Sequence, residues 1–349
     1  MRNAAKVLQV AFTYIGTIVG AGFATGREIL QFFTQYGKWG VITIMVATLL
    51  FVWLGTKMML LAHDIGASSY EDLNRKLFGR RIGWWISLFT LIVLLGVNSV
   101  MLAGAGSVFM EHLGLSYQLG LWITLIGTFL LLGKGMNAIL QLNSIVVPLM
   151  ITLSIIIISA TVGTPGAQRF LSLETDSSPL QTWASPFIYS AFNLSMAQAV
   201  LVPIGSQIKQ RKVIVWGGIL GGLGIGFMLM AGHFALSAHM PGIVQFEIPM
   251  GTIAVQLGTA VQLVYVLLIF LEIFSTFVAD IYGVSLQIRT MWNIPERWLS
   301  LIILCFCYLT SQIGFSSLLS VLYPVFGVFS LFWAAMLVLY RSPRITAKR

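Results

Sequence analysis

Charged residues are scarce in this chain: Asp, Glu, Lys and Arg together make up 9% of its 349 residues. A soluble globular domain carries about 25% charge. Hydrophobic residues reach 58%, and the mean hydropathy is +0.91. These values exclude a soluble domain and predict an all-α polytopic membrane protein, because helices satisfy their own backbone polar groups in lipid.

Cysteine is nearly absent as well. Cys305 and Cys307 lie two residues apart in an apolar run, so no disulfide framework exists, and the four histidines lack metal-ligand spacing. No nucleophile–base set and no paired-carboxylate arrangement indicates catalysis. The sequence therefore predicts no enzyme activity, no catalytic residues, no metal site and no cofactor apart from a coupling ion.

Positive charge is present, with a formal net charge of +9. It does not form one basic face, as a nucleic-acid partner would need, but sits in short segments between apolar runs. With the N-terminus inside, 17 of the 20 Lys and Arg residues are internal, and Arg27, Lys38 and Arg169 are external. The positive-inside rule then predicts a multi-pass protein of the cell (inner) membrane with both termini cytoplasmic.

Ten apolar runs predict ten transmembrane helices. Five precede a polar loop at 162–182 and five follow it, so the second half enters the membrane inverted. We therefore expect a first five-helix repeat at 1–161, and a second, inverted repeat with a cytoplasmic tail at 183–349. The runs are 4–36, 38–62, 82–110, 117–133, 138–161, 183–208, 213–238, 250–287, 298–313 and 316–340.

The first run is too long to cross a bilayer once as a straight helix, since a span needs about 20 residues. Four glycines interrupt its middle, in GTIVGAGFATG. Exposed backbone at that depth is tolerated where it faces protein or a water-filled cavity, so the run predicts two half-helices and an unwound joint. The alternative is an unbroken helix whose glycines are packing notches.

The sixth run contains a second candidate break. Asn193, Ser195 and Gln198 lie at its middle, between Pro186 and Pro203. Polar side chains can satisfy backbone groups that local unwinding frees. Helices 1 and 6 are therefore both predicted to be broken, at equivalent places in the two halves.

The Gly20–Phe23 turn, the opening GTIVGAGFATGREILQFF and the later AVLVPIG resemble segments of a known family. With two broken helices in a five-plus-five arrangement, the chain resembles LeuT-type secondary transporters of the amino acid–polyamine–organocation (APC) superfamily. Within them it is most similar to the YkvI-like putative amino acid permeases. The resemblance implies a LeuT fold and amino acid transport. The Asp-Pro-Gly and Met-Pro-His signatures of the metal-ion transporters with this fold are absent.

The joints supply the first candidate site. Free amides at one half-helix end and free carbonyls at the other carry opposite partial charges. A substrate carboxylate could bind the amides, a cation the first-span carbonyls, and a substrate amine the sixth-span carbonyls or Glu272. The amides belong to Gly20, Ala21 and Gly22, the cation carbonyls to Gly16 and Thr17, and the sixth-span positions are Ala191, Phe192, Asn193 and Ser195.

The eighth run supplies the second. Glu272 lies near its middle, where a carboxylate is costly and usually functional. It has three readings: a proton carrier, a counter-charge for a substrate ammonium group, or a silent structural partner. Ser275 and Thr276 share its helical face and resemble the hydroxyl pair that binds sodium in LeuT-type symporters. Their alternative role is to bond the carbonyl one turn back.

Charged residues near the ends of these runs are candidate gates. Arg27 and Glu28 follow the first joint and resemble the outer gate of LeuT-type transporters, although Arg27 could equally be an interfacial, snorkelling arginine. Asp280 lies nearer the cytoplasmic end of the eighth run and is expected to be solvated or gating.

Together these features predict an alternating-access symporter that couples sodium or protons to a small amino acid or related zwitterion. Its partners are that small-molecule substrate and the lipid bilayer, in a monomer or homodimer. Two alternatives remain open: a passive ion channel on the same frame, and a non-transporting membrane sensor or scaffold.

Overall fold

The computed structural model describes residues 2–132, 136–291 and 295–340. The predicted cytoplasmic tail at 341–349 and the basic residue Lys134 lie outside this part of the chain. Within it the regular structure is helical, with no strand. The helices are α1 (Arg2–Ile18), α2 (Ala21–Ala24), α3 (Arg27–Phe32), α4 (Trp39–Leu50), α5 (Thr56–Ile65), α6 (Tyr70–Leu113), α7 (Tyr117–Leu132), α8 (Met136–Val162), α9 (Arg169–Ser172), α10 (Pro179–Gln207), α11 (Arg211–Ala238), α12 (Pro249–Val255), α13 (Thr259–Met291), α14 (Glu296–Ser311) and α15 (Phe315–Leu339).

Seven helical segments of the described residues are long and apolar enough to cross a membrane. Two shorter apolar helices, Tyr117–Leu132 and Arg297–Ser311, accompany them. The first run is divided among α1, α2 and α3. The long segments are Trp39–Ile65, Tyr70–Leu113, Ile145–Val162, Pro179–Gln207, Arg211–Ala238, Thr259–Ser285 and Phe315–Leu339.

The predicted break in helix 1 is present, whereas the predicted break in helix 6 is wrong. Residues 179–207 form one continuous helix, α10, with Pro186 and Pro203 inside it. The polar side chains at its middle do not replace missing backbone bonds. Asn193 Nδ2 donates to Tyr189 O at 3.0 Å and Ser195 Oγ to Phe192 O at 2.9 Å, both within the helix.

A single turn of π-helix, Phe51–Gly55, joins α4 to α5. A π turn leaves a backbone carbonyl displaced from the regular ladder. Here the Tyr14 hydroxyl donates to Phe51 O at 2.8 Å, and a Cβ at Gly55 would overlap that hydroxyl. The bulge is thus held by a side chain of α1, which fixes α1 against the second span.

A capping box starts α6: Ser69 Oγ accepts from the Asp72 amide, and the Asp72 carboxylate accepts from the Ser69 amide. Gly79, with φ 77° and ψ 174°, then kinks the helix. Because only glycine adopts this backbone conformation readily, Gly79 sets the position of the kink within α6.

Glycines let α11 pack closely between α1 and the second span. A Cβ on three of them would overlap Val10, Tyr14 and Ile15 of α1. A Cβ on the other three would overlap Thr56, Val52 and Thr48. The run GGILGGLGIG is therefore a packing surface. The first set is Gly217, Gly221 and Gly224, and the second is Gly218, Gly222 and Gly226.

The broken first run lies at the centre of the bundle. Its half-helix α1 packs on α11, α8 and α10, and the short α2 packs on α6 and α13. Helix α10 packs on α15 and α5, and α13 on α6 and α8. The break is therefore enclosed by the helices that carry the polar residues singled out from the sequence.

Candidate functional site

The joint lies at Val19 and Gly20. Helix α1 ends at Ile18, and Gly20 is extended, with φ −101° and ψ −166°. Its amide donates to Ile18 O at 3.0 Å rather than to Gly16 O, which a continuous helix would use. The chain restarts at Ala21 as α2, so amides of its first turn and carbonyls of the last turn of α1 lose their regular partners.

One face of α13 lies along this joint. The Tyr265 hydroxyl lies 3.5 Å from Ala24 O, and Thr276 Oγ1 lies 3.5 Å from Val19 O. Glu272 is seven residues after Tyr265 and four before Thr276, so it occupies the same helical face between them. Glu272 is fully buried, and neither carboxyl oxygen has a hydrogen-bond partner among the described residues.

The two predicted ion-binding hydroxyls point differently. Thr276 approaches the Val19 carbonyl at the joint, on the side expected from the sequence. Ser275 Oγ donates to Glu272 O at 3.1 Å within α13, the alternative considered for such residues. Thr17 Oγ1 likewise donates to Thr13 O at 2.7 Å inside α1. The carbonyl beside α13 therefore belongs to Val19, a residue the sequence did not single out.

Glu28 is not exposed beside Arg27 but buried, with 2% of its surface accessible. Its side chain lies directly against Gly22, where a Cβ would overlap its carboxyl group. The hydroxyls of Tyr189 and Tyr323 lie near this carboxyl and interact with it. Oε2 nevertheless has no partner of normal hydrogen-bond geometry in the described part of the chain. The carboxyl thus lies at the joint, among α2, α10 and α15.

Arg27 turns the other way. Its guanidinium donates to Val244 O at 2.7 Å and to Phe246 O at 3.0 Å. These carbonyls belong to residues 242–255, which we call the cover. Glu111 binds the cover too, accepting from the amides of Glu247 and Ile248 at 3.1 and 3.0 Å. Arg27 therefore ties the cover over one end of the joint, a placement consistent with a gate.

Asp280 lies one turn beyond Thr276 on α13. It is 6% exposed, and its Oδ2 has no partner among the described residues. Tyr323 is near enough to interact electrostatically with both Asp280 and Glu28. Asp280 is therefore a second buried carboxyl near Tyr323 and not a solvated end residue.

The α10 positions lie beside this group without exposing their backbone. The Phe192 ring packs on Tyr323 with centroids 4.5 Å apart. Ser195 bonds Ser330 of α15 at 2.8 Å, and Ala191 is buried in the helix. Because α10 is continuous, its carbonyls at 191–193 remain in the helical ladder. Residues 191–193 therefore contribute the Phe192 ring, which packs on Tyr323, and no free carbonyl groups.

Besides Val19 and Tyr265, sequence reasoning missed two further residues of this site, Tyr189 and Tyr323. Both are buried, and Tyr189 packs on Phe33 with centroids 5.0 Å apart and an edge-to-face angle of 81°. Neither occurs in a polar motif. The usable signal was weak: Tyr189 lies four residues before Asn193, on the face that the sequence already assigned to the site.

An open cavity lies beside the N-terminal part of α1, on the other side of the joint from the cover. A cavity of about 480 Å³ lies between α1 and the end of α10. Polar side chains contribute to its wall, among them Gln9 and Thr13 of α1 and Gln207 of α10. The site is thus covered at the α12 end and flanked by a cavity at the N-terminal end of α1.

No family model matches the chain. The membrane protein YkvI of Bacillus subtilis (strain 168) is 38% identical over 343 residues, covering 96% of each sequence. Among solved structures, MhsT in complex with L-phenylalanine has a TM-score of 0.72 and 17% identity, covering 95% of this chain and 88% of MhsT.

The inward-facing conformation of Mhp1 has a TM-score of 0.68 and 13% identity, covering 95% of this chain and 75% of Mhp1. MhsT and Mhp1 are LeuT-fold transporters, not enzymes. The chain has their fold, and it belongs to the YkvI family of membrane proteins.

Proposed function

We propose that the chain is an ion-coupled secondary transporter for a small molecule that bears an amino group, such as an amino acid or a related zwitterion. The observation that supports this most is the break at Val19–Gly20, which faces the buried Glu272 and Thr276 of α13. Unpaired polar groups at such depth are costly unless they serve binding.

The proposed architecture has ten membrane helices in two inverted sets of five, in the cell membrane, with both termini cytoplasmic. The charge bias of the sequence supports this orientation. The cover then faces outside, and the cavity beside α1 faces the cytoplasm. A closed outer end with an inner opening is the arrangement expected of one state in alternating access.

The coupling ion is sodium through Thr276 and the Val19 carbonyl, or a proton through Glu272. Oxygen ligands of this type suit a hard cation. An unpaired buried carboxyl suits a proton, because a positive charge must accompany it if it ionises. The two ions predict different consequences for the same pair of variants.

Uptake into proteoliposomes under separate sodium and proton gradients tests the proposal. Thr276→Ala should abolish sodium-driven accumulation if sodium is coupled, and Glu272→Gln should abolish proton-driven accumulation if protons are. Glu174→Gln, on an exposed carboxylate paired with Lys38, is the matched control. Flux without saturation or gradient-driven accumulation would indicate a passive channel and refute the proposal.

A further inference from the structure

We propose that Glu28 binds the positively charged nitrogen of the cargo, and that this site favours an organic amine over a zwitterion or a carboxylate. The inference rests on the proposed transport function and narrows its substrate class. The Glu28 carboxyl lies against Gly22 of α2, the helix that follows the joint, so a cargo bound there lies beside this helix.

The Glu28 carboxyl is buried and incompletely hydrogen-bonded. Glu28 is 2% exposed, and its Oε2 has no hydrogen-bond partner among the described residues. The Tyr189 hydroxyl beside it also lacks one. An incompletely hydrogen-bonded carboxyl in a buried place is costly, and a bound N–H group that fits there would lower that cost.

Aromatic side chains lie near the Glu28 carboxyl. The buried Tyr189 and Tyr323 have their hydroxyls near this carboxyl, and the Phe192 ring packs on Tyr323 with centroids 4.5 Å apart. A cation within about 6 Å of an aromatic face is attracted by the ring quadrupole, more strongly where water is excluded. A carboxylate next to buried aromatic rings is an environment suited to an ammonium group.

The buried carboxyls lack a buried Lys or Arg partner among the described residues. Arg27 is directed to the cover, so it does not neutralise Glu28. The buried charged residues of the described part are acidic apart from one histidine: Glu28, Glu272 and Asp280 have no buried Lys or Arg to pair with. A positive cargo, or protons, must supply the counter-charge.

Glu28 also affects where the carboxylate of a zwitterion could bind. The sequence suggested that a substrate carboxylate could lie on the amides near Gly22. In the structure the Glu28 carboxyl covers Gly22. When Glu28 is ionised, a second carboxylate there would face a like charge, which disfavours binding. The described residues contain no group of three His, Cys, Asp or Glu that could hold a metal ion.

Binding of two matched ligand series to the purified full-length protein tests the inference. Each series contains an amino acid, its decarboxylated amine and its deaminated acid. The first is L-leucine, 3-methylbutylamine and 4-methylpentanoate, and the second is L-phenylalanine, phenethylamine and 3-phenylpropanoate. Isothermal titration gives Kd for each, and uptake of the same compounds is measured in proteoliposomes.

We expect the amine to bind most tightly in at least one series and the acid not to bind. Glu28→Gln should weaken the amine by about 10- to 100-fold, the usual value of a hydrogen bond to a charged group. Glu174→Gln should leave the Kd unchanged. If Glu28→Gln fails to fold, the order of the ligands on the wild-type protein still decides.

Three outcomes would overturn the inference. Equal or tighter binding of the amino acid would remove the selectivity for amines, while uptake of that amino acid would leave the transport function standing. An unchanged amine Kd in Glu28→Gln would remove the role of Glu28. No binding and no uptake of either series would reject the inference together with the proposed cargo class.

Discussion

A methyl group on Gly22 tests whether the Glu28 side chain lies at the joint. A Cβ built on Gly22 would lie 2.8 Å from Glu28 Cδ and overlap Oε1 of the same side chain. A Cβ on the neighbouring Gly20 would meet only the methyl end of Met101, at 3.0 Å. The Gly22→Ala variant therefore strains one specific contact, between α2 and the start of α3.

The magnitude follows from two opposing terms. Adding one methyl to a well-packed interior costs about 1–3 kcal/mol. Alanine in place of a helical glycine contributes up to about 1 kcal/mol in the opposite direction. Gly22→Ala should therefore destabilise the wild-type protein by about 1–2 kcal/mol. In a Glu28→Ala background the clash is gone, and the same substitution should be neutral or stabilising.

Thermal unfolding of the four proteins in one detergent measures this coupling. For a chain of this length, 1 kcal/mol corresponds to a change in Tm of about 1–2 °C. Gly283→Ala is the control, because the nearest atom to its Cβ is Ala199 Cβ at 3.9 Å. Equal losses of Tm from Gly22→Ala in both backgrounds would show that Glu28 does not lie against Gly22, and the ammonium site would lose its basis.

Three further substitutions test the frame around the site. Arg27→Gln removes the two hydrogen bonds to the cover, so hydrogen exchange should rise about 10-fold or more across residues 242–255 and stay unchanged in α11. Tyr14→Phe leaves Phe51 O without its donor, and we expect a loss of about 1–3 kcal/mol in stability, read as a lower Tm. Lys38→Gln breaks an exposed ion pair with Glu174, and Tm should change by less than about 2 °C, or the pair is more than a surface contact.

The first joint was predictable from the sequence because length and composition agreed there. A run of roughly 33 residues exceeds one span, and the glycines mark where the backbone can leave the helix. The glycine run in α11 was predictable for a similar reason, since closely spaced glycines in an apolar helix indicate packing. Both features depend on residues that lie within a few helical turns of one another in the sequence.

The sixth run misled because its signal has two physical causes. Asn193 and Ser195 in the middle of a span can compensate for unwound backbone, or they can bond the carbonyls of their own helix. In α10 they do the second. Proline is also tolerated inside a transmembrane helix, because neighbouring helices and local adjustments accommodate it. The amino-acid sequence alone does not distinguish a broken helix from a continuous one here.

Glu28 was unpredictable for a different reason. Its neighbour Arg27 is charged, and adjacent charges near a span end indicate an exposed pair. Residues one apart on a helix point about 100° apart, however, and Gly26, with φ 83°, turns the chain just before α3. That turn sends Arg27 to the cover and Glu28 to the core. The separation depends on one backbone angle that composition does not reveal.

The same turn joins the cover to the joint. Thr25 O accepts from the Met250 amide of the cover at 2.9 Å, and Thr25 Oγ1 donates to Gly22 O at 3.1 Å. Arg27 holds the cover from the next helix, and Glu28 lies on Gly22. A movement of the cover must therefore change hydrogen bonds on both sides of the carboxyl. Access to the site and the geometry of its charged group are thus linked through residues 25–28, which is the coupling that the proposed alternating-access transport requires.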